Sequence, residues 1–468
     1  MNLQPQTATS QMTKSIFIFR RDLRLYDNTG LIEACKNSKE VLPIFIFTPE
    51  QINRIQNKYF SNNSVQFLIE SLDDLNKQLN KKKSRMFYFY GENVEILKKI
   101  KKDFDFKSVY VNQDYTPYSI KRDKKIDTFC KDNKINFVSL NDITLLKMTE
   151  GMNKNNKQYK VFTPFYKNAL KITINKPNNY KCKNFIKKNK KINNEYEKDI
   201  HNFYKKNKNI LVNGGRKIGL EKLKKIKTFK KYGKTRDYPK IDTTHISAMN
   251  KYGCISIREV YWKIKSLKIE PLLRQLYWRD FYYRISYYYP RVLKGKSFKK
   301  EYDKIKWKTD KKKLERWKVG KTGYPMVDAG MRQMNTTGWM HNRLRMIVSN
   351  FLVKDLFIDW REGERYFAQT LYDYDPSQNN GGWQWSSGSG TDSQPYFRIF
   401  NPWLQSKKYD KDCEYIKKWV PELKNIPNKH IHKWFEFHKN YNIDYPKPIV
   451  DHKNAKKNTL KLYKKYLN

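Results

Sequence analysis

Over the first 140 residues the apolar positions fall in short unbroken runs, and stretches of helical period separate them. SIFIF (15–19), VLPIFIF (41–47), MFYFY (86–90), VYVN (109–112) and NFVSL (136–140) have the length and the β-branched and aromatic content of strands. Between them, residues 64–80, 93–102 and 118–133 repeat apolar side chains every three or four positions, as one face of a helix requires. This βαβ alternation predicts a doubly wound, mostly parallel sheet. The turn after the first run, RRDLRLYDNTG, has no GxGxxG, so a nucleotide cofactor is expected elsewhere.

Residues 150–210, for example KCKNFIKKNKKINNEYEKD, are rich in Lys and Asn and weakly periodic, which predicts a solvated connector. From about residue 215 the strand signals stop and helical periods take over. In MHNRLRMIVSNFLVKDLFID (340–359), Leu344, Ile347, Val348, Phe351 and Leu352 form a core stripe. Asn342, Arg345, Met346 and Ser349 share another face, a poor core and a plausible ligand wall. The expected division is an α/β domain over 14–145, a connector over 146–214 and an all-α domain over 215–468. NNGGWQWSSGSGTD (379–392) reads as a polar, glycine-rich loop carrying two tryptophans, whose bland role would be to anchor a core.

Charge narrows the partners. The chain has 97 Lys+Arg against 46 Asp+Glu, a net charge of +51, which favours a polyanion such as nucleic acid. Joint over-use of Lys, Asn, Ile and Tyr also fits codon bias toward A and T, so charge alone does not establish the partner. The five cysteines are scattered without a CxxC pair, which predicts neither a disulfide framework nor a structural zinc site and fits a reducing compartment. No apolar run reaches the roughly 18 residues needed to span a bilayer. The leader MNLQPQTATSQM is polar and uncharged, unlike a secretory signal. A soluble intracellular protein is expected.

Asp373 and Asp375 flank a tyrosine just before the tryptophan stretch, and a helical arginine such as Arg345 could pair with one of them. No His, Cys and carboxylate set has metal-ligand spacing, and no Ser–His nucleophile motif occurs, so metal and hydrolytic chemistry are not predicted. A site of Trp, Asn, Arg, Met and Asp without an acid–base pair suggests that a cofactor does the chemistry.

FRRDLRLYDN (19–28), TTHISAMNKYGCIS (243–256), YWRDFYYR (277–284), KTGYPMVDAGMRQMNTTGWMHNRLRM (321–346), DWREGERYF (359–367) and DYDPSQNNGGWQWSSGSGTDSQPYFRIFNP (373–402) resemble the photolyase/cryptochrome family. The resemblance runs from about residue 15 to the end of the sequence, and is closest to the class I enzymes that repair cyclobutane pyrimidine dimers. It implies an α/β domain joined by a long connector to a helical domain holding FAD. By motif position, Tyr232, Thr243, Thr244, Ile246 and Ser247 would meet the phosphate and ribose side of FAD, and Arg279 would also contact it. Arg345 and Asp373 would pair against the isoalloxazine, Asp375 would lie near its polar edge, and Asn379 would face N5 and tune its redox states. Trp278 and Trp385 would wall the lesion pocket, with Met346 beneath it. Arg236, Asn342, Arg343 and Gln405 would contact damaged DNA. Trp307, Trp360 and Trp383 would relay electrons to FAD.

The resemblance also sorts the branches. Enzymes that repair six-four photoproducts have histidines where this chain has Asn342 and Met346, and DASH-type cryptochromes tend to have Gln at Met346. Gln275 stands where dimer photolyases usually carry a Glu that hydrogen-bonds the damaged bases; it can donate and accept but holds no shared proton. The implied activity is light-dependent splitting of pyrimidine dimers by electron transfer from photoexcited reduced FAD, by a monomer. The alternative is a blue-light receptor without repair activity, although such receptors usually extend well past the shared domain. A second, antenna chromophore stays open between a deazaflavin and a folate. The segment NQDYTPYSIKRD (112–123) lacks the Asn-Glu pair of folate binders and looks more like deazaflavin-type or antenna-free members.

Overall fold

The computed structural model describes residues 13–467, so the leader MNLQPQTATSQM lies outside the described residues. Strands β1 (Lys14–Phe19), β2 (Glu40–Phe47), β3 (Phe87–Tyr90), β4 (Ser108–Asn112) and β5 (Asn136–Leu140) pair in parallel in the order β3-β2-β1-β4-β5. The unbroken apolar runs of β1, β2 and β4 follow from burial on both faces, while the edge strands β3 and β5 are only partly buried. Phe17 and Phe19 enter one core, while Ile16 and Ile18 enter the other.

Helices α1 (Thr29–Lys36), α2 (Asn62–Asn80), α3 (Asn93–Asp103) and α4 (Pro117–Asp132) cover the sheet, each opened by a capping side chain: Asn28, Ser61, Glu92 and Thr116. The sequence pattern misses α1, because eight residues give too little period to register. Gly30 is required there, since a Cβ would come within 2.8 Å of Asn112 Oδ1.

The connector is ordered, unlike the solvated segment expected. It contains α5 (Phe162–Ala169) and buries Ile174, Cys182, Phe185, Ile186, Ile192 and Ile200. Outside α5, which buries Phe162, Phe165, Tyr166 and Ala169 at helical spacing, apolar residues set among lysines and asparagines reach the core singly or in pairs and leave little periodic trace. Cys35 and Cys182, 147 residues apart, are joined in a disulfide. Cysteine placement therefore no longer supports a reducing compartment.

Helices of the second domain that build or flank the site are α6 (Glu270–Tyr288), α7 (Lys311–Lys318), α8 (Pro325–Thr337), α9 (Asn342–Asn350), α10 (Trp360–Thr370), α11 (Pro376–Ser387) and α12 (His452–Leu467). The pattern read over 340–359 becomes α9 followed by one wide turn, Phe351–Asp355. Burial pushes the Lys354 amine well below its usual range, and its Nζ holds the carbonyls of Ser387 and Tyr396. The two domains are riveted by a buried charge cluster in which Arg24 and Arg258 both meet Asp142 and Arg258 also meets Asp27.

The tryptophan stretch is helix where a loop was expected. Asp375 caps α11 through the N–H groups of Ser377 and Gln378, and Gly388 closes it at φ 87°. Mid-helix glycine costs about 1 kcal/mol against alanine. Packing offsets this at Gly381, where a Cβ would fall 2.2 Å from the Tyr282 ring of α6. In a helix, residues two apart project about 200° around the axis. Trp383 and Trp385 therefore point to opposite sides.

Candidate active site

His341 caps α9 by accepting from the Arg343 N–H, which sets the helix register. The core stripe Leu344, Ile347, Val348, Phe351 and Leu352 is buried. On the other face Asn342 is exposed, Arg345 and Met346 are half-buried, and Ser349 is buried. Arg345 Nη2 reaches both oxygens of Asp373, at 3.0 and 2.9 Å, and Ser247 Oγ donates to Asp373 at 2.7 Å. The Asp373 side chain is 3% exposed and that of Arg345 is 27% exposed, so the pair opens on one side only.

Asn379 donates its amide N–H to the Glu364 carbonyl at 3.0 Å, which turns its Oδ1 away from α10. Three residues on, Gly382 is exposed, and a Cβ there would meet nothing within 4 Å. Open space thus lies against the middle of α11, between Asn379 and the tryptophans. Trp383 is buried with its Nε1 unpartnered, its ring against Phe367 and Trp317. Trp385 is half-buried. Trp278 stacks on Phe162 at 3.7 Å and 6°. Gln275, one turn earlier on the same face, donates to the Pro271 carbonyl at 3.1 Å.

The remaining expected site residues have the following protein partners and burial. Asp375 is buried, bonded to Arg21 and Tyr283 as well as to its own helix N-terminus. Burial would raise its carboxyl, but Arg21 and the Tyr283 hydroxyl hold it below the usual range. Because Arg21 also binds Asp114, this carboxylate is a strut between the domains. Arg279 is committed to the carbonyls of Ile143 and Asn250. Arg343 pairs with Asp237 at 2.7 Å and lies over Tyr409, while Arg236 is exposed and Gln405 half-buried. Tyr232, Thr243 and Thr244 are half-buried, Ile246 is buried and Ser247 is exposed. Trp360 is buried and Trp307 half-buried against Phe357 and Tyr463.

Two features escaped the sequence. Burial pushes the Glu364 carboxyl up to about 7, against the pull of Arg365. Nothing in REGER marks that carboxyl as buried. A cleft of about 680 Å³ also lies between the domains, at the carboxyl ends of β1, β2 and β4, bordered by Arg20, Arg21, Arg122, Lys251, Glu364 and Tyr374. It sits where the strand order reverses between β1 and β4, the place where open α/β sheets bind ligands. Burial and the nearby Arg122 lower Arg20 to about 10, and N–H groups of both arginines lack partners. Burial likewise lowers Lys251 to about 7. An anionic ligand suits the unpartnered N–H groups of this lining.

Comparison with known proteins agrees with these features. A family described as DNA photolyase matches residues 15–181, and one described as the FAD binding domain of DNA photolyase matches residues 272–465. The deoxyribodipyrimidine photo-lyase of Buchnera aphidicola subsp. Acyrthosiphon pisum is 38% identical, over 97% of this chain and 97% of its own. An archaeal photolyase from Sulfolobus tokodaii, solved with two FAD molecules, superposes with a TM-score of 0.87 at 40% identity, covering 97% of this chain and 100% of that one. A bacterial class III photolyase from Agrobacterium tumefaciens gives 0.90 at 31% identity, with 99% of each chain covered.

Proposed function

We infer from its membership of the photolyase/cryptochrome family that this chain is a light-dependent DNA repair enzyme that splits cyclobutane pyrimidine dimers. The observations that carry the reading are the buried Asp373, held by Arg345 and Ser247 and open on one side, and the uncovered Gly382 of the helix that also bears Asn379. The residues fit FAD: a charged pair to lie against the ring, a helix surface without a side chain, and unpartnered buried polar atoms such as Trp383 Nε1. Reduced FAD, when bound and photoexcited, supplies the dimer with one electron and takes it back after the cyclobutane bonds part.

The chain's own residues bind and orient. Tyr232, Thr243, Thr244 and Ser247 would hold the phosphate and ribose side of the cofactor, and Asn379, its amide N–H bound to the Glu364 carbonyl, would offer Oδ1 to the flavin. Trp278 and Trp385 wall the pocket for a flipped-out dimer, where stacking contributes about 1–3 kcal/mol per base. A dimer stacks poorly in the duplex, so extruding it costs less than extruding a normal pair. Met346 supplies an apolar floor, and the amides of Asn342 and Gln275 hold the base edges. Gln275 must turn its amide away from Pro271 to do so. Arg236, Arg343 and Gln405 contact the DNA, within a strongly basic chain.

Trp307, Trp360 and Trp383 return electrons to an oxidised cofactor. The interdomain cleft holds a second, light-harvesting chromophore of flat, anionic type, a deazaflavin or a folate. The enzyme acts as a monomer on DNA inside the cell, and no helix among the described residues is long and apolar enough to cross a membrane.

One experiment tests this reading. The purified protein should show a flavin spectrum and should restore, in light only, an oligonucleotide bearing a thymine dimer. Flavin binding without repair would favour the blue-light receptor, and a colourless protein would refute both.

A further inference from the structure

Two aromatic rings face the indole of Trp383: Phe367 at 5.0 Å and 77°, and Trp317 at 6.1 Å and 72°. Phenylalanine is too hard to oxidise to pass an electron, so Trp317 is the oxidisable one of the two. Trp360 lies in the same core. Trp317 is fully buried on α7, its ring fixed by an Nε1–H bond to the Val348 carbonyl at 3.0 Å. Its edge then meets Tyr366 of α10 at 5.9 Å and 61°.

Tyr366 is half-buried, and its hydroxyl donates to Asn335 Oδ1 at 2.8 Å, with the Lys318 carbonyl at 3.3 Å. Asn335 is exposed. Burial and the nearby Glu315 raise the phenol above its usual range, so it is protonated at neutral pH. Simple packing would place these rings together without asking anything of the last one. What sets this row apart is its end: an oxidisable hydroxyl, hydrogen-bonded beside solvent, where a proton can leave.

We propose that Trp317 and Tyr366 form a second arm of electron supply to Trp383, ending at the surface on a tyrosine. The proposal rests on the reading of Trp383 as the donor next to FAD. In this arm, oxidised Trp383 takes an electron from Trp317, which takes one from Tyr366. The phenolic O–H bond breaks as that electron leaves, and the proton passes beside Asn335 to bulk water. An external thiol then returns one electron and one proton to Tyr366, and two thiyl radicals couple to a disulfide. Each electron delivered thus consumes one thiol.

The test uses the holoenzyme with oxidised FAD, illuminated with dithiothreitol, and follows both flavin absorbance and the electron paramagnetic resonance of trapped radicals. Trp360→Phe closes the arm toward Trp307. It should keep a slower photoreduction together with a tyrosyl radical signal. Adding Tyr366→Phe, which keeps the ring and deletes only the hydroxyl, should remove that signal and most of the remaining rate. Trp360→Phe/Trp317→Phe should lose photoreduction altogether. Complete loss in Trp360→Phe alone would overturn the proposal, as would an unchanged rate and signal once Tyr366→Phe is added. Trp383→Phe lies upstream of both arms, so unaltered photoreduction there would sink the reading on which they rest.

Discussion

Removing the arginine from the Arg345–Asp373 pair is the most direct perturbation of the site. Asp373 accepts two hydrogen bonds from Arg345 and one from Ser247, and its side chain is 3% exposed. Arg345→Met leaves the carboxylate with Ser247 alone. Breaking a fully buried pair from one side costs about 3–5 kcal/mol. The Arg345 side chain is 27% exposed, so water entering from the open side reduces the loss to roughly 2–3 kcal/mol. If that cost falls on the folded apoprotein, its urea midpoint drops. If reorganisation relieves it until the cofactor arrives, FAD affinity falls instead, by about 30- to 150-fold at 1.36 kcal/mol per tenfold. Urea melts and a flavin fluorescence titration together capture the sum. Arg345→Met/Asp373→Asn should recover part of the loss, because no unpaired charge remains, and the double-mutant cycle isolates the pair. A single variant that matches the parent in both assays, to within about 0.5 kcal/mol, would show that the pair holds nothing together.

Three further outcomes are expected. Gln275→Glu should raise the yield of dimer repair per absorbed photon, since a carboxyl can share a proton with the damaged bases where an amide cannot; no gain would remove Gln275 from the lesion pocket. Binding to damaged duplex should weaken steeply with salt, roughly 10³–10⁵-fold between 50 and 200 mM if six to ten phosphates are contacted, and a flat salt titration would contradict a basic DNA-binding face. Burial raises Glu364 to about 7, so the folded state keeps this proton after the unfolded state has released it, and stability falls as pH rises from about 4.5 to about 7. Glu364→Gln should therefore stabilise the protein at pH 8 and leave it nearly unchanged at pH 4, and an identical difference at both would show that the carboxyl does not titrate in this window.

The inner strands β1, β2 and β4 were legible because burial on both faces writes itself as unbroken apolar runs, and the pairing of Arg345 with Asp373 was within reach because Arg345 falls off the core stripe of its helix. Other features left no local trace. Helix α1 is too short, and Ile174, Phe185 and Ile192 of the connector are isolated among lysines. In α11, Gly381 and Gly382 argue for a loop by propensity, and only the ring of Tyr282 shows why one of them is needed. Arg21 and Asp375 lie 354 residues apart, so no window could couple them. Contacts of this kind are decided by tertiary packing, which overrides the local preferences that a pattern can report.

Helix α11 also explains why the cleft and the active site belong to one machine. Its cap, Asp375, is tied to Arg21 on the strand-end loop of the α/β domain, and Arg21, Tyr374, Pro376 and Asn380 line the cleft. One residue beyond Pro376 on the same helix, Ser377 turns inward to bond Ser286 of α6, and Asn379, Gly382 and Trp385 border the open space on the active-site side. Glu364 lines the cleft, and its carbonyl accepts the Asn379 amide. An anionic ligand in the cleft would hold Arg20 and Arg21 in place, and Arg21 in turn fixes the start of the helix that carries Asn379 and both tryptophans. Asp375→Asn weakens that tie to Arg21 while touching neither Asn379 nor the tryptophans. It should loosen cofactor binding by displacing α11 as a unit, and unchanged flavin affinity in this variant would show that the helix is held by its packing on α6 and α10 alone.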